Sequence, residues 1–94
     1  MTAHVRQKRT NMLNKKLLNE KQCRAARTWL GLSQQDLAKL SKVSARTIAH
    51  FEAGNRVPHD RTLRDLQTAF EELHIEFLFE GQVGVGLRIR SRLP

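Results

Sequence analysis

Cys23 is the only cysteine in this chain. No disulfide can close within it and no CxxC pair exists. The four scattered histidines (His4, His50, His59, His74) add no zinc-ligand spacing. No metal and no cofactor is therefore expected, and a lone thiol fits a reducing compartment. Long apolar runs are missing too: none approaches the roughly 18–20 residues of a membrane helix. The basic residues near the N-terminus precede no apolar stretch, so no secretory leader is expected. Together these absences predict a cytoplasmic location and no membrane partner. Repeats and low-complexity tracts are absent. No Ser/His/Asp or paired-carboxylate arrangement stands out, so an enzyme is not expected.

Acid is missing from one end. Residues 1–18 hold Arg6, Lys8, Arg9, Lys15 and Lys16 with no Asp or Glu. Bases also outnumber acids in residues 19–58. The balance reverses in 59–80, where Asp60, Asp65, Glu71, Glu72, Glu76 and Glu80 face only Arg61 and Arg64. Arg88, Arg90 and Arg92 follow. The net charge is +8. A basic front and an acidic segment behind it suggest a polar molecule that offers one face to a polyanion. Ninety-four residues suit one small domain with a marginal core, for which dimerisation is a common remedy.

Periodicity places the elements. Residues 1–18 show no clean period and predict a basic mobile arm, with a short helical turn near 12–18. Asn19 caps a helix over 20–31, where Cys23, Ala26 and Leu30 share a face and Gly31 ends it. Ser33-Gln-Gln-Asp36 forms a capping box for a helix over 34–41 with Leu37, Ala38 and Leu40 on one side. Ser44 caps a third helix over 45–53, with Ile48 and Phe51 inward and Gly54 closing it. A fourth helix over 60–74 carries the stripe Leu63, Leu66, Ala69, Phe70 and Leu73. The period then becomes two. Ile75, Phe77 and Phe79, and then Val85, Leu87 and Ile89, mark two strands around the turn Gly81-Gln-Val-Gly84. Such a pair needs a helix or further strands behind it.

The second and third helices are joined by Ser41-Lys42-Val43-Ser44, the architecture of a helix-turn-helix. Ala38 is small where they approach, and Leu37, Val43, Ile48 and Phe51 wedge them at a fixed angle. The third helix can then project into a major groove about 12 Å wide. Arg46 can give two hydrogen bonds to guanine O6 and N7. The Ala45 methyl suits a thymine methyl. His50, one turn on, points the same way.

Gly31-Leu-Ser-Gln-Gln-Asp-Leu-Ala38, Val43-Ser44, Thr47-Ile48 and Phe51-Glu52-Ala-Gly54 resemble the phage-repressor/Cro, or XRE, class of helix-turn-helix proteins. The likeness covers residues 22–73. It implies a mostly α fold: a four-to-five-helix repressor-like domain with a C-terminal β-strand pair. The expected division is an arm (1–18), a DNA-binding domain (19–74) and C-terminal strands (75–94). By the same resemblance, Gln34 contacts a phosphate, and Ser44, Ala45, Arg46 and His50 face base edges. Thr47 and Asn55 lie near the backbone, and Arg27 and Glu52 form a buried ion pair between the first and third helices. One departure is Lys42, where the class usually has Gly because φ is positive. A lysine there costs roughly 1 kcal/mol.

The expected function is a sequence-specific regulator of transcription, a repressor that binds a palindromic operator in double-stranded DNA as a homodimer. Four helices and two strands leave no effector domain. An antitoxin that represses its own operon is an alternative, since some antitoxins pair such a module with a C-terminal strand; a neighbouring toxin gene would favour it. A third reading is a protein that uses the fold to bind another regulator, against which the long polar side chains of Gln34 and Arg46 argue. The expected dimer interface is one apolar face of Ile75, Phe77, Phe79, Val85, Leu87 and Ile89. Its competitor is a hairpin folded onto the fourth helix of its own chain. Three further signals weigh little. Gly81-x-x-Gly84-x-Gly86 is reversed from a dinucleotide fingerprint. Cys23 reads as a buried small hydrophobe. Trp29, off the apolar stripe, is expected against the fourth helix or a partner.

Overall fold

The computed structural model describes residues 15–90. They form four helices, α1 (Glu20–Leu30), α2 (Gln34–Ser41), α3 (Ala45–Glu52) and α4 (Asp60–Glu72), then strands β1 (Ile75–Glu80) and β2 (Val83–Ile89). Among the described residues no helix is long and apolar enough to cross a membrane. The expected turn near 12–18 is not helical over 15–18, and 12–14 lie outside the described residues.

Local chemistry explains the helix boundaries. Asn19 and Gln22 form a full capping box on α1, and Gly31 ends that helix in the left-handed region at φ 71°. Ser33 and Asp36 do the same for α2. The Ser33 N–H held at Asp36 Oδ2 keeps that exposed carboxyl below its ordinary pKa. No side chain caps α4.

The core joins Leu18, Cys23 and Ala26 to Leu37, Val43, Ile48 and Phe51 from the helix pair, and to Leu63, Leu66, Ala69 and Phe70 from α4. Phe70 is fully buried and meets Phe77 edge to face, centroids 5.7 Å apart. Such a contact is worth about 0.5–1.5 kcal/mol beyond the area it buries and fixes β1 on α4. Three expectations are corrected. Leu40 is half exposed, and Ser41, one turn after Leu37, takes the inward place. Trp29 is exposed and does not pack on α4. Leu18, assigned to the arm, is 2% exposed, so the packed unit begins before Asn19.

The strands pair antiparallel around Gly81-Gln82, a shorter turn than the four residues expected, with Gly81 at φ 62°. Ile75 faces Ile89 and Phe77 faces Leu87, and the register slips between Leu78 and Phe79, leaving Val85 as the extra residue of a bulge. Gln22 fills this bulge. Its Nε2 donates to the carbonyls of Leu78 (3.0 Å) and Gly86 (2.9 Å), while its Oε1 accepts from the Asn19 N–H. Asn19 Nδ2 donates to the Gly84 carbonyl. A methyl on Gly84 would overlap the Gln22 amide, so the close approach requires glycine here. One buried side chain thus closes the cap of α1 and docks the hairpin on it. The sequence carried half of this signal, an Asn-x-x-Gln box; the partner in the bulge lies over 50 residues away.

Candidate nucleic-acid interface

The turn between α2 and α3 is built from its own polar atoms. Lys42 adopts φ 63°, and its N–H donates to the Ala38 carbonyl (2.9 Å). A lysine therefore stands in the left-handed conformation without displacing the turn. Ser41 Oγ donates to the Leu37 carbonyl (2.7 Å) and accepts from the Val43 N–H (3.2 Å), satisfying backbone groups where the chain reverses. Ser44 Oγ accepts from the Thr47 N–H (3.1 Å) and donates to Thr47 Oγ1 (2.9 Å). Both hydroxyls are engaged at the start of α3.

On its inner face α3 buries Ile48, Phe51 and Glu52. Glu52 is 4% exposed, and several groups converge on it. Arg27 grips the carboxylate with two bonds, Nε to Oε2 (2.9 Å) and Nη2 to Oε1 (2.8 Å), and its Nη1 donates to the Leu32 carbonyl (2.9 Å). The fork fixes α1, α3 and the loop before α2 in one geometry. Gln34 Nε2 donates to Oε1 (3.1 Å) and Cys23 Sγ to Oε2 (3.4 Å). Arg24 Nη2 donates to the Glu52 backbone carbonyl (2.8 Å), tying down the last turn of α3. Arg24 was not foreseen, although its spacing of three from Arg27 on one helix could have suggested it.

These contacts set the local titration. Burial pushes the Glu52 carboxyl up, but the donors Arg27, Gln34 and Cys23 outweigh it, and the net shift is downward. The Arg27 guanidinium is raised by its hydrogen bonds to Glu52. Burial, then the Glu52 charge, pushes the Cys23 thiol far above its ordinary value and keeps it protonated.

The outer face differs. Arg46 is exposed, and Ala45, Thr47 and His50 are half-buried. Among the described residues, no hydrogen bond holds the side chains of Arg46, His50 or Asn55. Arg46, Thr47, His50 and Asn55 line a groove of about 690 Å³, whose other wall is Arg56, Val57, Pro58, His59 and Thr62. That wall is the α3–α4 loop and the first turn of α4. No single residue in the sequence marks a loop that folds back beside α3; the clustered Arg56 and His59 are its only signal. Ser44 and Ala45 sit at the N-terminal end of α3. Gln34, expected at a phosphate, points to Glu52 instead and lies outside the groove.

The strand residues divide. Ile75 and Phe77 are 1% and 6% exposed within their own chain, and Phe79 and Leu87 pack partly against the same core. Only Val85 and Ile89 of the expected face remain exposed, beside Val83. A single apolar face left open by one chain is therefore not what the strands present. The physical reason is α4: its stripe around Phe70 needs a cover, and the hairpin supplies it.

A helix-turn-helix family model matches residues 24–78, from within α1 to within β1. No curated protein matches the chain.

Proposed function

Since this chain belongs to the helix-turn-helix family, in its XRE class, we propose that it represses transcription by covering a palindromic operator as a homodimer. Membership makes it a DNA-binding regulator of transcription. The observation that carries the finer reading is the division of α3, welded to the core by Glu52 and free along Arg46 and His50. In this reading Arg46 reads a guanine, and Ala45 and His50 contact neighbouring bases. Thr47 and Asn55 approach the phosphates, and Ser44 orients the helix start. Gln34 acts through Glu52 and through whatever phosphate its amide also reaches. The dimer forms along the open edge of β2, where Val83, Val85 and Ile89 stand exposed. Selection from random duplexes is expected to enrich an inverted repeat with half-sites about 34 Å apart or a multiple of that spacing. Enrichment of no sequence at moderate salt would overturn the reading. Ultracentrifugation checks the dimer, which Val85→Lys is expected to split.

A further inference from the structure

His50 and His59 stand on opposite walls of the α3 groove. His50 lies one turn after Arg46 on α3, and His59 is the N-cap of α4. The His59 side chain makes no capping bond. Among the described residues no hydrogen bond or ion pair engages either ring. An imidazole is the side chain whose ordinary pKa, about 6.5, lies between pH 5 and 8.

The charges that face these rings are almost all of one sign. Arg46 comes from α3 and Arg56 from the loop, and no Asp or Glu lines the groove. No residue of α1 or α2 lines it either. The acid of α3, Glu52, is buried on the other face of the helix against Arg27. Asp60, beside His59, lies 2.6 Å from Lys15 Nζ, and that contact, with Arg64 nearby, holds its carboxyl below the ordinary range. Without DNA, a proton added to either ring meets Arg46, Arg56 and the positive end of α4. With phosphates between the walls it meets their negative charge instead. The hydrogen bonds change in the same direction. A neutral ring has one donor and one acceptor, and an imidazolium has two donors. Phosphate oxygens and guanine O6 and N7 only accept.

We propose that His50 and His59 take up protons when duplex DNA enters the groove, so that the protein holds its operator more tightly as pH falls from about 8 to about 6. The proposal rests on the DNA-binding reading above. The sign follows from linkage. A group that holds its proton more firmly in the complex adds affinity that is fully present below about pH 6.5, and that is lost as pH rises through its titration in the complex. Each pKa unit of preference is a tenfold change in affinity. One unit at each ring gives nearly tenfold per histidine between about pH 8.5 and about pH 5.5, and nearly a hundredfold for both. The carboxyls of Glu52 and Asp60 titrate below this window and add nothing to it. His74 lies after α4, at the opposite end from His59, and does not line the groove.

The test is operator affinity of the full chain at fixed salt across that pH range. Calorimetry in PIPES and in Tris at pH 7 then counts the protons taken up. Wild type is expected to bind more tightly at low pH and to take up about one proton in all at pH 7, half at each ring. His50→Gln and His59→Gln should each lose about half of that count, and the double variant should bind with little dependence on pH. His74→Asn should keep the wild-type pH profile. Affinity independent of pH, no proton uptake by wild type, or a profile preserved in the double variant overturns this inference alone. Wild-type protein that binds no duplex at any of these pH values overturns the DNA-binding reading with it.

Discussion

Glu52 and Arg46 sit on the same short helix under opposite conditions. Around Glu52 a guanidinium fork, an amide and a thiol fill the carboxylate's accepting positions in a site closed to solvent. Arg46 stands in water, and among the described residues nothing holds its side chain. The contrast teaches how a marginal domain presents a reader. Buried polar atoms fix the helix against α1, and among the described residues the polar side chains that face the groove are left without a partner. If the two ends are separable in this way, substitutions at one should change stability and at the other recognition.

The largest effect is expected at the buried end. Glu52→Ala leaves Arg27 and Cys23 without their acceptor and should cost about 3–5 kcal/mol, the range for breaking a buried pair. Urea unfolding measures it, and a loss under 1 kcal/mol would show the tie to be dispensable. Acid should act in the same direction. The folded carboxyl titrates below its unfolded value of about 4.3, so its contribution is present above that pH and disappears as pH falls toward the folded value. The urea midpoint is expected to drop between pH 5 and pH 3, and less so in Glu52→Gln.

Next comes the hairpin dock. Gly84→Ala should displace the Gln22 amide and lose its two bonds to the strand carbonyls, at about 2 kcal/mol. Because both substitutions break the same contact, Gly84→Ala in a Gln22→Ala background should cost much less than it does alone. Strict additivity would sink this account of the bulge. The smallest effect is at the turn. Lys42→Gly relieves a side chain held at φ 63°, and should raise stability by up to about 1 kcal/mol without changing DNA preference. A loss of stability there would mean that the lysine side chain makes a contact worth more than the strain.

How much of this was legible differs between regions for a physical reason. The caps at Asn19, Ser33 and Ser44 and the ends at Gly31 and Lys42 depend on residues within one turn, so the sequence placed α1, α2 and α3 to within a residue or so. The strands were placed by their period of two. What covers them was not, because Ile75 and Phe77 read as apolar whether a second chain or Phe70 lies opposite. Leu18 was read with its basic neighbours and is held by Gln67, 49 residues away. At the candidate interface, Arg46, Thr47, His50 and Asn55 line one groove, a spacing of one turn and a loop that the sequence already showed. Gln34 does not join them, because its amide has an alternative acceptor in Glu52 that spacing along α2 does not reveal.

The separation of fixing from reading is tested most directly by Arg46→Ala in parallel with wild type, on the selected operator and on a scrambled duplex, with urea unfolding of both proteins. The account predicts unchanged stability, unchanged affinity for scrambled DNA, and a loss of about 1–3 kcal/mol on the operator confined to one base position of each half-site. Equal losses on both duplexes would contradict it.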